Sequence, residues 1–405
     1  MRLRTLDDLD GDLAGRRVFV RLDLNVPLED GVVTDDARIR AGLPTLTELL
    51  DRGASIVAAS HLGRPGGRVD EGLRLRPVAE LLRRFLDRVV EYVPTDGVLS
   101  PEVERSCQAL AFEPGRLVLL ENLRFDPGEE ANDRAFARRL AGLADLYVDD
   151  AFGAVHRAHA SVVALPALVR EHGGDTAAGR LLQREVEALS RLVADPARPY
   201  VAVLGGAKVS DKLGTIGALV ERVDALLIGG AMAFTFLAAD GGSVGDSLVE
   251  LERFDDVRAA RAQADERGVV LQLPEDVVAA ASKRVDAPRH TVPSAQVPAG
   301  ELGLDIGPRT VEEFARTIAD AKTIVWNGPM GVFELEPFSG GTRGVATAIA
   351  GASAYSVVGG GDSLAAVKKY GLEGGFDHLS TGGGASLEFI EGRELPGIAV
   401  LEVAP

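Results

Sequence analysis

Short runs of apolar and β-branched residues recur along the chain, and segments with a helical pattern separate them. Near-continuous apolar runs are what a parallel sheet buried on both faces requires. Strands that alternate with helices predict βαβ units, so each half of the chain is predicted to be a doubly wound α/β domain. The predicted strands are Val18–Leu22, Ser55–Ala59, Leu117–Leu120, Leu146–Val148, Val201–Leu204, Leu226–Ile228, Val269–Leu273, Thr323–Trp326 and Tyr355–Val358.

The break between the two halves lies between Glu171 and Pro199. Residues 177–193 have helical periodicity, with a Gly-rich loop before them and a Pro-containing segment, 195–199, after them. A chain of 405 residues is long enough for two domains, each with its own core. We therefore predict a first domain over residues 1–175, a connecting helix over 176–195 and a second domain over 196–389.

Composition and charge narrow the possible partners. The chain is 46% hydrophobic and 26% charged, as in soluble globular proteins, and its net charge of −17 argues against nucleic acid. Cys107 is the only cysteine, which excludes an intramolecular disulfide and a cysteine metal cage. The longest uncharged apolar stretch, Ala225 to Ala239, is too short to span a bilayer, and the N-terminus lacks a signal-peptide core. We expect a cytoplasmic protein without a membrane partner.

Basic and polar residues follow the predicted strands of the first half, where α/β sheets place their ligands. Each arginine alone is typical of a surface ion pair, but several at one end of a sheet predict a site for a polyanion. Asp23 and Asn25 are alternate residues at a strand end, which suits recognition of hydroxyl and carboxylate groups. The candidate residues are Arg21, Asp23, Asn25, Arg38, His61, Arg64, Arg124 and Arg157.

The second half is rich in Gly and Lys at the corresponding positions. The segments 359–363 and 381–384 each place glycines between a strand and a helix, so that backbone N–H groups face an anion. A capped turn that binds no ligand is a sufficient explanation for one such loop, but it is a weaker explanation for two. Asp362 would either cap a helix or bind Mg²⁺. Lys208 and Lys212, two of only six lysines, would share one helical face if their turn continued as a helix, although a solvated surface pair has the same spacing.

Several common catalytic motifs are missing from the sequence. No Gly-Lys dipeptide occurs, which excludes a Walker-type P-loop, and the absence of Gly-x-Gly-x-x-Gly disfavours a dinucleotide-dependent oxidoreductase. No His-Glu-x-x-His or Gly-x-Ser-x-Gly sequence supports a metalloprotease or a serine hydrolase. The segment Trp326–Pro329, with Glu334, is a candidate for shaping an adenosine pocket.

Taken together, these motifs resemble those of phosphoglycerate kinases, in order and over essentially the whole chain. The resemblance rests on the segments 21–27 (RLDLNVP), 60–65 (SHLGRP), 205–212 (GGAKVSDK), 326–329 (WNGP) and 360–363 (GGDS). It implies two Rossmann-like, doubly wound parallel-sheet domains joined by a helix, with a deep cleft between them. It also implies that the C-terminal tail, about 390–405, packs on the first domain, and that an adenine pocket lies around Gly303-Leu304 and Gly229-Gly230.

The resemblance implies reversible phosphoryl transfer from 1,3-bisphosphoglycerate to Mg·ADP, giving 3-phosphoglycerate and ATP, with closure of the domains. It assigns substrate binding to Asp23, Asn25, Arg38, His61, Arg64, Arg124 and Arg157. It assigns nucleotide binding to Lys208, Lys212, Asn327, Glu334, Gly360, Gly361, Asp362 and Ser363, with Asp362 as the Mg²⁺ ligand. The catalytic set it implies is Arg38, Lys212, Gly361 and Gly384.

From the sequence we expect a monomer rather than a dimer. The alternative to an active enzyme is a non-catalytic descendant that binds nucleotide or acts as a scaffold. Loss of Arg38, Lys212 or Asp362 would favour that alternative, and all three residues are present.

Overall fold

A computed structural model describes residues 2–9 and 11–402 of the chain. The chain divides into two compact units. The first unit runs to Glu187 and also includes the segment that starts at Glu394, and the second unit is Ala188–Arg393. The division falls inside a helix, Arg180–Val193. The predicted α/β class with two parallel sheets is confirmed.

The first unit alternates strands and helices, as its sequence pattern predicts. Its strands are β1 (Arg17–Leu22), β2 (Leu28–Glu29), β3 (Val32–Val33), β4 (Ser55–Ala59), β5 (Val90–Tyr92), β6 (Leu117–Leu119), β7 (Leu146–Asp150) and β8 (Thr176–Ala178). Its helices are α1 (Ala37–Asp51), α2 (Arg76–Leu86), α3 (Pro101–Ala109), α4 (Pro127–Glu130), α5 (Arg134–Ala141) and α6 (Leu165–Glu171), followed by α7 (Arg180–Val193), in which the division falls.

The central sheet of the first unit has the strand order β5-β6-β4-β1-β7-β8, and all neighbouring strands are parallel. From β1 the chain first builds outward through β4 and then crosses to the other side with β7. This change of direction is a topological switch point, and ligands of open α/β sheets bind outside the carboxyl ends of the strands there. Alternate residues of β1 face opposite sides: Val18, Val20 and Leu22 enter one core cluster, whereas Phe19 stacks on Tyr147.

The second unit repeats this architecture and adds small antiparallel strands. Its strands are β9 (Tyr200–Leu204), β10 (Ala225–Ile228), β11 (Ser243–Val244), β12 (Val270–Gln272), β13 (Asp276–Ala280), β14 (Arg289–Pro293), β15 (Gln296–Val297), β16 (Leu302–Ile306), β17 (Thr323–Asn327), β18 (Tyr355–Gly359) and β19 (His378–Ser380). Its helices are α8 (Leu213–Val220), α9 (Ala233–Ala239), α10 (Phe254–Arg267), α11 (Pro308–Ala319), α12 (Gly340–Ala350), α13 (Gly361–Lys369) and α14 (Gly384–Ile390). The last helix, α15 (Pro396–Ala399), belongs to the first unit.

The large sheet of the second unit has the order β12-β10-β9-β17-β18-β19, again with parallel neighbours. The switch point lies between β9 and β17, which are the two strands followed by Gly205 and Gly328. A three-stranded antiparallel sheet, β14-β13-β16, accompanies it. Among residues 2–9 and 11–402, no helix is both long and apolar enough to cross a membrane.

The start of the connecting helix differs from the sequence-based prediction. The predicted connecting helix covers 176–195, but residues 176–178 form strand β8, and α7 begins only at Arg180. Asp150 explains this start, because its Oδ1 accepts hydrogen bonds from the backbone N–H groups of Leu181 and Leu182. A carboxylate in this position caps a helix, so α7 starts where β7 supplies its cap.

Candidate active site

The carboxyl ends of the first unit's strands gather the sequence-predicted anion-binding residues at one edge of the sheet. Parallel strands end at the same edge, so residues that are far apart in sequence become neighbours there. Arg38 joins them from the first turn of α1, which follows the β2–β3 hairpin. The residues that follow the strands are Asp23 and Asn25 after β1, His61 and Arg64 after β4, Arg124 after β6, and Arg157 after β7.

Asp23 and Arg38 form an ion pair at this edge. Asp23 is 5% exposed, so the pair is largely shielded from water on the carboxylate side. The turn after β7 packs directly against it at Gly153, where a Cβ atom would lie 2.8 Å from the Asp23 carboxylate. A side chain at Gly153 would therefore force the Asp23 carboxylate, and with it the pair, to shift.

Asn25 and Arg124 both hold the loop that carries His61 and Arg64. The Gly63 N–H donates to Asn25 Oδ1 at 2.9 Å, and Arg124 Nη1 donates to the Gly63 carbonyl at 2.7 Å. Arg124 Nε lies 3.2 Å from the Glu130 carboxylate. Burial lowers the pKa of Arg124, and the nearby Arg21 and Arg64 act in the same direction, so this group gains from an added anion.

Two histidines lie among these arginines. Burial is the main reason why the pKa of His61 falls well below its usual value, and the charges of Arg21 and Arg124 lower it further. The pKa of His159 falls to about 4, mainly through burial and then through Arg124 and Arg21. Both imidazoles are therefore neutral at neutral pH, and the positive charge beside them comes from the surrounding arginines.

Arg64 and Arg157 are exposed at the same edge. Arg157 Nε donates to His156 Nε2 at 3.1 Å, a contact between adjacent residues that shapes the loop after β7. Exposed guanidinium groups beside the shielded Asp23–Arg38 pair give this edge a range of donors, which suits a small ligand with several anionic oxygens.

In the second unit the strand ends at the switch point approach each other closely. Gly328 has φ +100°, and a Cβ atom on it would lie 2.2 Å from the Gly205 carbonyl oxygen. A side chain on Gly205 would meet the Pro329 carbonyl at the same distance. The glycines in these two motifs therefore let the loops after β9 and β17 pack backbone against backbone.

Lys212 and Asn327 meet at this point. Lys212 Nζ donates to Asn327 Oδ1, and Asn327 itself is only 4% exposed. Burial lowers the pKa of Lys212, whereas the carboxylates of Asp211 and Asp362 act in the opposite direction. The lysine is thus a partly buried cation next to the carboxyl end of the sheet, without a full ion pair of its own.

Two helices begin at the same edge, α13 at Gly361 and α14 at Gly384. Gly361, Asp362 and Gly384 are exposed, so the N-terminus of each helix has open space beside it. Ser363 differs, because it is fully buried and its hydroxyl accepts the Gly328 N–H at 2.7 Å. It fastens α13 to the loop after β17.

A cavity of about 490 Å³ opens beside these loops within the second unit. Apolar side chains line one part of it, including Phe234, Leu248 and Val332, and polar groups line the rest. An apolar pocket with a few polar groups and Gly-rich loops at its edge is the usual form of a nucleotide site. The sequence-predicted residues in its lining are Gly230, Gly303, Leu304, Pro329, Glu334 and Asp362.

Comparison with known proteins identifies the family. A family model for phosphoglycerate kinase matches residues 6–393 of the chain. A phosphoglycerate kinase from Moorella thermoacetica is 52% identical over 397 residues, which cover 98% of each chain. One from Salinispora arenicola is 53% identical over 410 residues, which cover 99% of this chain and all of the relative.

The chain belongs to the phosphoglycerate kinase family. Solved structures agree. The phosphoglycerate kinase of Coxiella burnetii superposes with a TM-score of 0.87 at 42% identity, covering 99% of each chain. That of Pyrococcus horikoshii OT3 superposes with a TM-score of 0.84 at 34% identity, covering 98% of each chain.

Membership in the phosphoglycerate kinase family confirms the sequence-based identification of a phosphotransferase that acts on ADP or ATP and 3-phosphoglycerate. The relatives and the superposed structures are phosphoglycerate kinases, so the alternative of a non-catalytic scaffold is not supported. The family does not by itself assign roles to individual residues of this chain.

Two local interpretations of the second unit differ from the structure. Lys208 and Lys212 do not share a helical face, because α8 starts only at Leu213, after both of them. Between them, Ser210 is bound through its backbone N–H and its hydroxyl to the Glu250 carboxylate, which holds the segment as a turn. Trp326 is fully buried in the core and donates to the Gly328 carbonyl at 2.8 Å, so it supports the loop and does not line the cavity.

Sequence reasoning missed several cavity residues, among them Phe234, Lys283 and Met330. Phe234 lies in α9 and closes against Gly303, where a Cβ atom would overlap its ring. The only signal for it was a glycine pair after β10 followed by an aromatic residue, which is too common to indicate a ligand. Lys283 comes from the segment after β13, where the chain has no recognisable motif.

The described residues do not form a ready-made magnesium site. In the part of the chain that the structure describes, no group of three or more His, Cys, Asp or Glu side chains could hold a metal ion. Asp362 is an exposed carboxylate that lines the cavity at the start of α13. This fits Mg²⁺ that arrives with a nucleotide, since Mg²⁺ is usually held by one or two carboxylates together with phosphate oxygens and water.

Proposed function

We propose that the first unit binds 3-phosphoglycerate or 1,3-bisphosphoglycerate at the carboxyl edge of its sheet. The observation that carries this proposal is the grouping of Arg38 and Arg124 near neutral His61, with Arg38 paired to the shielded Asp23 and exposed Arg64 near Arg124. Guanidinium groups bind phosphate and carboxylate oxygens in pairs of hydrogen bonds. Asp23 and Asn25 add acceptors for the substrate hydroxyl, and Arg157 is placed at the outer side of the same site.

We propose that the second unit binds ADP or ATP in its 490 Å³ cavity. The apolar part of the cavity takes the base, Glu334 binds the ribose, and the phosphates extend towards Lys212 and the start of α13. Gly360 and Gly361 offer backbone N–H groups, and Asn327 holds Lys212 in reach of the phosphates. Lys208 lies further out as an exposed cation, and Ser363 supports the loop from its buried position.

The transfer itself needs positioning and charge neutralisation more than covalent catalysis. In the direction that consumes ATP, a carboxylate oxygen of 3-phosphoglycerate bonds to the γ-phosphorus while the bond from that phosphorus to the β–γ bridging oxygen breaks, which leaves 1,3-bisphosphoglycerate and ADP. Arg38, Lys212 and the N–H groups of Gly361 and Gly384 are the donors that we assign to the charge that spreads over the phosphoryl oxygens. When bound, Mg²⁺ supplies further neutralisation, and Asp362 is the residue that would hold it.

The substrates bind to separate units, so transfer in line requires the two ligands to meet. We propose that the units close during each turnover, as expected when a reaction must also exclude water. Small-angle scattering tests this part: the radius of gyration should fall when both ligands are present and not with either alone. Equal values in all four states would contradict closure.

A coupled assay of ADP formation from ATP and 3-phosphoglycerate tests the proposed function. Activity should depend on both substrates and on Mg²⁺, and ATP alone should give no ADP. Turnover without 3-phosphoglycerate, or a rate that does not respond to it, would overturn the assignment of the first unit. A monomer in sedimentation and a cytoplasmic location in cell fractionation are the remaining expectations.

The role of Asp362 is tested by replacing it with Asn and titrating Mg²⁺ at fixed ADP. Removal of one anionic oxygen weakens a hard cation, so Asp362→Asn should need about tenfold more Mg²⁺ for half-maximal activity. Asn caps a helix as well as Asp does, so a purely structural role predicts superimposable curves. Superimposable curves would remove Asp362 from the metal site.

A further inference from the structure

Arg21 is a buried cation to which the proposed function gives no task. Its side chain lies at the carboxyl end of β1 and is only 1% exposed. Its Nε–H donates to Ser161 Oγ at 2.9 Å, and its Nη2 lies 2.9 Å from His61 Nδ1. A third hydrogen bond runs from Nη1 to the Leu22 carbonyl. With these three bonds the guanidinium is fixed inside the unit.

The hydrogen bonds that link Arg21 to Ser161 and Ser161 to Glu129 have only one possible direction. Arginine can donate but cannot accept, so Ser161 Oγ must accept from Arg21. The single hydroxyl hydrogen of Ser161 then goes to Glu129 Oε1, 2.6 Å away. The Ser161 backbone N–H binds the other carboxylate oxygen at 3.0 Å. Glu129 is fully buried. Burial raises the pKa of Glu129 and the charge of Arg21 is the largest influence in the opposite direction, so the guanidinium and this carboxyl group interact through charge as well as through Ser161.

The strand register supplies a second carboxylate. Arg21 stands beside Asp149 in the β1–β7 pairing, and Asp149 is fully buried. Burial raises the pKa of Asp149 to about 6, and the charge of Arg21 opposes that rise. The Tyr147 hydroxyl lies 3.1 Å from the Asp149 carboxylate and 2.8 Å from the Ser161 carbonyl, and the Ala151 N–H donates to Asp149 at 2.9 Å. Arg21 is thus enclosed by charges and dipoles that would be left uncompensated if it moved.

The side of Arg21 that faces His61 fixes the state of that ring. Because Arg21 is a donor, His61 Nδ1 must be an acceptor and cannot carry hydrogen. A neutral imidazole with a bare Nδ1 carries its hydrogen on Nε2. The titratable groups around the ring are Arg21, Arg124 and Arg38, which are charged, and His159, which is neutral at neutral pH; the three arginines lower the pKa of His61 in the same direction as burial. These charges disfavour a second proton on the ring.

We propose that Arg21 is a positioning residue that fixes His61 as the Nε2–H tautomer, so that His61 serves as a neutral hydrogen-bond donor to the anionic substrate. The inference rests on the proposed function of the first unit. The other tautomer would direct a lone pair at an oxyanion and would place two donors face to face between Arg21 and Nδ1. Glu129 and Ser161 act through Arg21, and none of the three needs to touch the substrate.

The tautomer can be measured in the free protein. Long-range ¹H–¹⁵N correlation spectra of protein labelled at its histidines distinguish a protonated ring nitrogen from an unprotonated one, and His61→Gln identifies the His61 signals. We expect Nδ1 unprotonated and Nε2 protonated, without change from about pH 6 to about pH 8. A protonated Nδ1, or a ring that averages between the two tautomers, would overturn the inference without any measurement of activity.

The cause of the tautomer is tested by removing both charges together, in Arg21→Met with Glu129→Gln. We expect the His61 signals to average between tautomers and the Kd for 3-phosphoglycerate to rise about tenfold, the loss of one hydrogen bond to a charged group. The Kd for ADP should stay the same. Arg134→Gln removes an arginine from a surface ion pair with Glu171 and should leave both the spectrum and the Kd unchanged.

Two further variants keep the test decisive if the double variant does not fold. Ser161→Ala deletes one hydroxyl and should broaden the His61 signals towards an average, because Arg21 loses its bond to Ser161. Arg21→Lys keeps the charge and a donor and should retain more of the Nε2–H form than Ser161→Ala does. An unaltered tautomer in folded Ser161→Ala would contradict the role of the cluster. Failure of the unmodified protein to bind 3-phosphoglycerate would instead overturn the proposed function.

Discussion

At the scale of single residues, the contact between Lys212 and Asn327 carries the clearest prediction. Lys212 is partly buried and bonded to a neutral amide, so its charge remains available to a phosphoryl group. Charge on that group spreads most in the transition state, and a cation aimed at it affects turnover more than binding. We expect Lys212→Ala to lower kcat by about a hundredfold, with a much smaller change in the Kd for ADP.

Lys322→Ala is the matched control for this prediction. Lys322 is exposed and precedes β17 at its amino end, whereas Asn327 closes the same strand at its carboxyl end. The control should keep the kcat of the unmodified protein. If Lys212→Ala also turned over at a near-normal rate, the catalytic role proposed for Lys212 would be wrong.

Sequence reasoning located single residues better than it located their contacts. It selected Asp23, His61 and Lys212 because each follows a strand, and strand ends are where α/β sheets place ligands. It could not foresee that Lys212 would bind Asn327, 115 positions away, or that Arg21 would face His61. Such pairs depend on strand register and side-chain rotamers, which local sequence patterns do not contain.

At the scale of elements, the turn after β7 positions the Asp23–Arg38 pair. Replacing Gly153 with Ala would place a Cβ atom 2.8 Å from the Asp23 carboxylate, which must then move away from Arg38. We expect Gly153→Ala to raise the Kd for 3-phosphoglycerate by about tenfold, with circular dichroism unchanged. Gly142→Ala meets only an ordinary contact at 3.5 Å and should bind normally. Equal affinities in the two variants would contradict this role of the turn.

The cap of α7 makes stability depend on pH. Burial raises the pKa of Asp150 from 3.8 to about 7, although the N–H groups of Leu181 and Leu182 act against that rise. Between those two values the folded state holds a proton that the unfolded state has released. The free energy of unfolding should therefore fall as pH rises through this window, by up to about 1.4 kcal/mol per pH unit from this one group.

Chemical denaturation at several pH values measures this slope. Asp150→Asn keeps an oxygen for the cap but cannot titrate, so its unfolding free energy should fall less steeply between about pH 4 and about pH 7. Asp51→Asn, at an exposed aspartate, is the control and should follow the unmodified protein. Parallel curves for Asp150→Asn and the unmodified protein would show that Asp150 does not titrate in this range.

The three strands of the two large sheets that sequence reasoning missed share a physical cause. Strands β5, β8 and β19 have only three residues each and lack a continuous apolar run. They lie at sheet edges, where a strand forms hydrogen bonds with only one neighbouring strand. The central strands, such as β4 with its five buried residues, carry the signal that a sheet buried on both faces imposes. The central strands, and the edge strand β12 within the apolar run Val269–Leu273, could therefore be predicted from the sequence, whereas the edge strands β5, β8 and β19 could not.

At the scale of the whole molecule, the large sheets of both units have the same kind of switch point at the edge where we propose that an anion binds. In each large sheet the chain builds outward from an inner strand and then crosses to its other side, at β1–β7 in one unit and β9–β17 in the other. Arginines line the switch point of the first unit, and glycines and Lys212 line that of the second unit. This division of residue types was visible in the sequence, because it follows the order of the strands along the chain.

The division predicts that each ligand depends on one unit. Removing a guanidinium that binds a charged oxygen costs about 1.5–3 kcal/mol, so Arg124→Ala should raise the Kd for 3-phosphoglycerate more than tenfold and leave the Kd for ADP unchanged. Glu334→Ala should do the reverse, because Glu334 lines the cavity of the second unit. Isothermal titration of each ligand into each variant measures the Kd for 3-phosphoglycerate and the Kd for ADP, and Arg134→Ala is the surface control. If either variant lost affinity for both ligands equally, substrate and nucleotide would not bind to separate units, and the roles proposed for the two sheet edges would have to be abandoned.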